Sequence, residues 1–437
     1  MIPAARISAA IEVLDDIATR RRPAPDALKD WGLAHRFAGS KDRRAIGDLV
    51  FDALRHKNSS AAVAGGEDGR AILLGLFRLH RGHDLAAIEK LFSGERFAPA
   101  PLTDEERAAL SSDRLADAPD FVRGDYPEWL APNLARVFGD DVVAEMQALA
   151  TPAPLDLRVN TLKAEADHAA AQLEAAIGRT PERPALSTLC LRLPLEPGSG
   201  EPHIASTEPF LKGQIEIQDL GSQLAAEFAG ARPGQQVLDL CAGGGGKTLA
   251  LAAAMQNHGQ IFAHDSDRRR LAPIHDRLAR AGVRNVQVRT PRPNSDVLDD
   301  LEHRMDLVLV DAPCTGTGTW RRNPDAKWRI RPGSLAERNK DQALVLDTAA
   351  RYVKTGGRLA YITCSVLEEE NTDQVAAFLA AHPGFAVVPP QAVVEAYEQE
   401  SMNILGPAVR YLANGLLMTP RVSGTDGFFV SVMTRTA

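Results

Sequence analysis

The sequence predicts an α/β protein with an all-helical N-terminal region, a small α/β module and a Rossmann-like, doubly wound parallel sheet. Three observations carry this. Before residue 150 apolar residues recur at helical spacing, with no strand-like alternation. Short alternating segments follow the Pro-rich stretch 151–154. From Gln236 onward, short apolar runs alternate with amphipathic segments, the rhythm that buries a parallel sheet between helices. The predicted divisions are 1–150, 151–230 and 231–437.

In the helical region, Ile7, Ile11, Leu14 and Ile17 mark a first helix, and Ile46, Leu49, Val50, Ala53 and Leu54 another. Segments 70–80 and 84–92 supply two more, and Thr103 with Glu106 has the form of a capping box. In the module, strands are expected at 155–159, 189–193 and 214–218, with helices at 164–176 and 220–229. The sheet region predicts strands at 236–241, 260–264, 285–289, 306–310, 358–363, 385–388 and 427–433. Its helices are expected at 247–257 and 267–281, from a Ser334/Glu337 cap to about Lys354, ended by Gly356-Gly357, and from the 358–363 strand to Ala381.

Composition narrows the function classes. The 437 residues are 44 % hydrophobic and 24 % charged, which excludes wholesale disorder. The net charge of −7 argues against coating nucleic acid through bulk charge, yet allows one basic face. Cys190, Cys241, Cys314 and Cys364 form no CxxC pair, so no zinc site or disulfide framework is expected, and a reduced cytoplasmic setting is. Asp15 and Asp16 interrupt any apolar leader, and no apolar run approaches the roughly 18 residues of a membrane helix. No membrane association and no obligatory protein partner are inferred, and a monomer is expected.

Chemistry concentrates at predicted strand ends, where doubly wound sheets place ligands. CAGGGGKT (241–248) follows the 236–241 strand and opens a helix. A P-loop needs a Gly where Cys241 stands, and a dinucleotide fingerprint fails at Thr248 or Leu249. An S-adenosylmethionine loop fits: Cys241, Ala242, Gly243, Gly244, Gly245, Gly246 and Lys247 wrap the methionine moiety, and Asp265, after the next strand, holds the ribose hydroxyls. Cys314, in DAPCTGTG (311–318), and Cys364, in TCS (363–365), also lie at strand ends. Carbon 5 of cytosine is a poor nucleophile. A thiolate adding to carbon 6 makes it an enamine that attacks a methyl sulfonium, and an acid at the ring edge, suited to Asp311, stabilises the developing charge. Position alone leaves open which cysteine is the nucleophile.

With LRVNTLK (157–163), IQDLGSQL (217–224), RRNPDAKW (321–328) and DGFF (426–429), these motifs resemble the Sun (RsmB-type) RNA cytosine-5 methyltransferases over most of the chain. The resemblance implies a class I methyltransferase domain. Residues 1–150, with KDRRAIGDLVFDALR (41–55), resemble a NusB-like RNA-binding domain. It further implies Cys364 as nucleophile, Cys314 as the residue aiding product release, and Asp311 as the acid contacting cofactor and base. The family loop usually reads Cys-Ala-Ala-Pro-Gly-Gly-Lys, whereas Gly243 and Gly244 stand here. The family's Asp after the third strand is missing from 289–294, so no adenine-reading residue is assigned.

Eight arginines lie between Arg268 and Arg292, a pattern open to RNA contact or to a solvated helix face. Arg321, Arg322, Lys327 and Trp328 interleave charge with an aromatic, as phosphate contact and base stacking require. Arg158 and Asn160 join them as expected RNA-contact residues. The expected activity is methylation of a cytosine at carbon 5, most readily in small-subunit (16S) ribosomal RNA. Transfer RNA as substrate and a non-catalytic assembly factor are the alternatives.

Overall fold

Helix formation before residue 151 follows the apolar periodicity. In a computed structural model, which describes all residues except 113, 196–201, 294 and 399–404, helices Pro3–Arg20 and Ser40–Arg55 bury Ile7, Leu14, Ile46, Leu49, Val50, Ala53 and Leu54, while Ile11 and Ile17 are partly buried against the same core, and helix Gly69–Gly75 adds Ile72, Leu73 and Leu74. Ile7, Val13, Ile46, Val50 and Leu73 are at most 2 % exposed. Thr103 and Glu106 make the full reciprocal cap of helix Asp104–Leu110. The 70–80 segment is helical, but its last turn, Leu76–His80, widens to a π-helix.

The chain divides into two compact units, Met1–Thr151 with Trp320–Arg331, and Pro152–Thr319 with Pro332–Ala437. The segment Trp320–Arg331 thus packs with the N-terminal helices, although it lies within the expected 231–437 division. Trp328 Nε1 donates to the Leu54 carbonyl at 2.7 Å, and Lys327 Nζ to the Arg55 carbonyl at 3.0 Å. Asp325 accepts from the Ala24 amide at 3.2 Å.

The second unit holds two sheets. In the smaller, β1 (Leu155–Val159) lies between β2 (Cys190–Leu193) and β3 (Ile215–Ile217), all antiparallel. Helix Ala166–Ile177 covers it, burying Leu157, Val159, Leu173 and Leu191.

The larger sheet comprises β4 (Gln236–Asp239), β5 (Gln260–Ala263), β6 (Val286–Val288), β7 (Met305–Asp311), β8 (Val353–Thr363), β9 (Phe385–Val387), β10 (Arg410–Leu412), β11 (Gly415–Met418) and β12 (Phe428–Arg435). Its order is β10-β11-β12-β8-β7-β4-β5-β6, with β9 beside β12. Strands β6-β5-β4-β7-β8 are parallel. Leu307, Val308, Leu309 and Val310 are fully buried, as a strand covered on both faces requires.

Five details differ from the sequence reading. The sheet is mixed, because β9 to β12 run antiparallel. The expected 267–281 helix is two, Arg268–Leu271 and Ile274–Ala281, since Pro273 has no N–H to continue the first. Helix Pro332–Tyr352 begins ahead of Ser334, so Ser334 does not cap it. Gly356-Gly357 lies inside β8, where a register shift against β7 takes up the extra residues. β10 and β11 were not anticipated.

Candidate active site

The chain order reverses at β4, whose neighbours are β5 and β7, and the site lies beyond the carboxyl ends of these strands. Residues 241–247 leave β4 and enter helix Gly246–Ala254. The turn is possible because Gly245 takes φ +85°, and a Cβ there would stand 2.5 Å from the Ile274 side chain. Arg277, from helix Ile274–Ala281, donates to the Gly244 carbonyl at 2.7 Å. It also pairs with Glu216 on β3, fastening the loop to the smaller sheet. With Gly243 and Gly244 in the loop, this clamp supplies rigidity that the glycines lack.

Asp265 is 1 % exposed at the end of β5. Its carboxylate accepts from the Gly243 amide at 3.0 Å and the Asp267 amide at 2.9 Å. Each oxygen keeps acceptor capacity after one such bond. Asp265 lines a cleft of about 350 Å³ with Cys241, His264, Ser266, Arg270 and Pro313. Helix Pro332–Tyr352 adds Leu344, Val345 and Thr348 to its wall. Two carboxylate oxygens aimed from a strand end, beside a glycine turn and an apolar wall, fit a nucleoside with vicinal hydroxyls. Burial pushes the Cys241 thiol far up, so this cysteine stays neutral and serves as lining.

Beneath the loop, Asp239 is buried on β4 and accepts from the Thr248 hydroxyl at 2.6 Å. Desolvation raises its pKa to about 7. Sequence reading passed over this residue, although a lone acid in the apolar run QVLDL is a visible signal. Lys247 Nζ reaches Asp311 at 2.7 Å, from a side chain that is 7 % exposed. The ammonium also sits 5.2 Å from the Phe428 ring centroid, which brings the DGFF motif to the same corner.

Asp311 ends β7, and Cys314 and Cys364 follow β7 and the adjacent β8. Their sulfurs are 3.3 Å apart. The contact with Cys364, then burial, then the nearby Cys364 and Glu370 charges push the Cys314 thiol well above its ordinary range. Either sulfur can donate in this contact. The Gly318 amide donates to the Cys364 carbonyl at 2.9 Å. A Cβ on Gly318 would meet the Gly427 carbonyl oxygen at 2.1 Å, so the two loops require glycine to close on each other.

The structure thus brings Cys241, Ala242, Gly243, Gly244, Gly245, Gly246, Lys247, Asp265, Asp311, Cys314 and Cys364 to one edge of the sheet. Of the expected RNA-contact residues, it buries Arg158, Asn160, Arg321 and Lys327 and leaves Arg322 and Trp328 half-buried. Arg158 is 3 % exposed and donates to Gln218 Oε1 at 2.7 Å, and burial lowers its pKa to about 10. Asn160 is buried and donates to the carbonyls of Gly213 and Ala281 at 2.8 and 2.9 Å. Arg321 and Lys327 are buried, and desolvation lowers the Lys327 pKa to about 8. Trp328 is half-buried with its indole N–H already bonded, and Arg322 is half-buried. In the 268–292 run, Arg277 and Arg280 pair with Glu216, and Arg289 with Asp300.

His56, His80 and Asp125 also bring ligand-type atoms within 4.8 Å of one another. Ser59 joins two of them, sharing a hydrogen bond with His80 Nε2 at 2.9 Å and donating to Asp125 at 2.7 Å. Its amide takes the other Asp125 oxygen at 2.9 Å, so the carboxylate caps a helix.

A family model described as 16S rRNA methyltransferase RsmB/F matches residues 228–434, and one described as the RsmF/B-like ferredoxin-like domain matches 126–195. The ribosomal RNA small subunit methyltransferase B of Sodalis glossinidius is 33 % identical over 347 residues, 78 % of this chain and 70 % of that one. The crystal structure titled PH0851 superimposes with a TM-score of 0.72 at 25 % identity, covering 99 % of each chain. A methyltransferase homologue from Pyrococcus horikoshii gives 0.58 at 28 % identity, covering 72 % of this chain and 97 % of that one. The sheet has the class I methyltransferase fold, and S-adenosylmethionine is the cofactor. By this likeness the chain belongs to the RsmB/F family of methyltransferases.

Proposed function

We propose that the protein methylates carbon 5 of a cytosine in small-subunit ribosomal RNA, through a covalent adduct between Cys364 and carbon 6. The observation that carries this is the thiol pair, 3.3 Å apart beside Asp311 and the cofactor cleft. Bound S-adenosylmethionine supplies an electrophilic methyl group. Cys364 adds to carbon 6 as a thiolate, and the electron pair moves through carbon 5, which takes the methyl. Asp311, held by Lys247 at 2.7 Å, faces the ring edge. The carbon-5 proton must then leave and the carbon–sulfur bond break, returning the pair to Cys364.

Cys314 suits the proton step. While Cys364 is a free thiolate, its charge and hydrogen bond hold the Cys314 proton in place. Once Cys364 becomes a neutral thioether both effects lapse, so Cys314 can give its own proton to solvent and, as a thiolate, take the carbon-5 proton. The rRNA assignment rests on family membership. The helical unit is read as the NusB-like RNA-docking part, and the segment near 151–230 as a module bracing the glycine loop.

The test is incubation with labelled S-adenosylmethionine and separated ribosomal and transfer RNA, followed by mapping of 5-methylcytidine. Cys364→Ala should abolish both turnover and covalent RNA attachment. Cys314→Ala should block turnover while a methylated, denaturation-resistant protein–RNA adduct accumulates. Adduct formation with Cys364→Ala and none with Cys314→Ala would reverse the roles. Label in transfer RNA alone would reassign the substrate, and no label in either would leave an assembly factor.

A further inference from the structure

Two adjacent residues outside every motif considered so far reach the two cysteine loops separately. Glu370 and Asn371 precede helix Thr372–Ala381, and both are fully buried. Glu370 accepts from the Thr315 amide at 2.7 Å and from the Thr315 hydroxyl at 2.5 Å. Thr315 is the residue after Cys314. Gln342 Nε2 donates both to Glu370, at 3.0 Å, and to the carbonyl of Pro313, the residue before Cys314, at 2.9 Å. The Cys314 turn is therefore tied on both sides. Tyr361, on β8, donates its hydroxyl to the Glu370 carbonyl at 2.7 Å, anchoring the clamp to the sheet.

Asn371 does the corresponding task for the other thiol. Its Nδ2 donates to the Ser365 carbonyl at 2.9 Å, and its Oδ1 accepts from the Thr363 hydroxyl at 2.5 Å. Thr363 and Ser365 flank Cys364. The Ser365 hydroxyl in turn bonds with that of Thr317 at 2.9 Å, linking the two loops.

We propose that Glu370 and Asn371 are positioning residues that hold the Cys314 and Cys364 loops in register, fixing the separation of the two thiols. A carboxylate suits the first place because an amide N–H and a hydroxyl both point at it as donors. An amide suits the second because one neighbour donates and the other accepts. Both are fully buried, so they act through the residues that flank each sulfur. Burial raises the Glu370 pKa, while the bonds from Ser365, Thr315 and Gln342 oppose that shift and favour the carboxylate.

The consequence for the reaction rests on the two-thiol reading above, whereas the geometry can be measured without any reaction. In the full-length protein, diamide oxidises a thiol pair to a disulfide, taking two electrons and two protons and becoming a hydrazine. Closure requires the sulfurs to meet, so its rate reports their register. Glu370→Ala and Asn371→Ala should close the Cys314–Cys364 pair several-fold more slowly than the parent. In turnover both should lose about a hundredfold in kcat, the scale of a misplaced reacting group, with KM for S-adenosylmethionine and RNA unchanged. Glu370→Gln, which still accepts from the Thr315 amide, should recover part of both signals, and Thr315→Val should lose less than Glu370→Ala.

Parent-like closure and kcat in the alanine variants would overturn the proposal. So would a Glu370→Gln variant that loses S-adenosylmethionine binding and thermal stability together with kcat, because that marks a purely structural residue. If no RNA gives 5-methylcytidine while the variants still close slowly, the reaction reading falls and the positioning role stands.

Discussion

The glycine turn after β4 and the segment Trp320–Arg331 both carry strong sequence signals, and both bury an ionisable group. Burial raises Asp239 to about 7 and lowers Lys327 to about 8. The two signals differ in what fixes them. The turn is located by topology: a strand end at a reversal of chain order must face a ligand crevice, whatever side chains it bears. The basic segment is located only by composition. Charge interleaved with tryptophan describes a nucleic-acid surface, and equally an amphipathic segment whose lysine stem and indole rings pack inward. Lys327 does the latter, 5.0 Å from the Trp328 ring centroid and bonded to the Arg55 carbonyl.

The largest expected effect tests the buried acid under the turn. Asp239 has its folded-state pKa raised from 3.8 to about 7. As pH climbs through 4 the unfolded chain loses this proton, while the folded protein keeps it until about 7. Between those values the folded state binds more protons, so stability falls with rising pH and then levels off. The full difference is up to about 4 kcal/mol. Asp239→Asn should remove this slope, as read by urea unfolding at a series of pH values. An unchanged slope in the variant would mean that Asp239 is ionised in the fold and has a partner at its second oxygen.

Next in size is the cofactor cleft. Asp265→Ala should weaken S-adenosylmethionine binding by about 1.5–3 kcal/mol, the scale of hydrogen bonds to a charged group. Calorimetry showing parent affinity would remove Asp265 from the ribose role. Part of any loss comes from the Gly243 amide, which Asp265 also holds, so Asp265→Asn separates loop support from ribose binding.

Most of the sheet and the site's strand-end residues were legible because backbone periodicity and turn glycines are local properties. The acid Asp265 is found by counting strands, and Cys314 and Cys364 by their places after β7 and β8. What sequence could not supply was partnership. Arg277 sits in an arginine-rich run, yet it clamps Gly244 and Glu216 across three elements. Glu370 and Asn371 look like an ordinary acidic helix start, and only the fold shows each reaching a different cysteine loop. Nor does sequence show that Arg158 is buried against Gln218, or that Asn160 ties the smaller sheet's Gly213 to Ala281 at the end of helix Ile274–Ala281.

The smallest expected effect is an absence, and it separates composition from topology directly. A lysine that neutralises a backbone phosphate releases counterions on binding, so removing it lowers the slope of log affinity against log salt by about one. Lys327 is 2 % exposed and its ammonium is already committed to the Arg55 carbonyl. Lys327→Gln keeps a donor for that carbonyl and removes the charge. RNA binding measured across a salt series should therefore keep the parent slope. The variant should also lose the gain in stability that the parent shows as pH rises from about 8 toward 10.5, where the unfolded lysine still binds a proton that the folded one has released. A slope reduced by about one would instead put Lys327 on the RNA, and would require helix Ala326–Arg329 to turn that side chain outward when RNA binds.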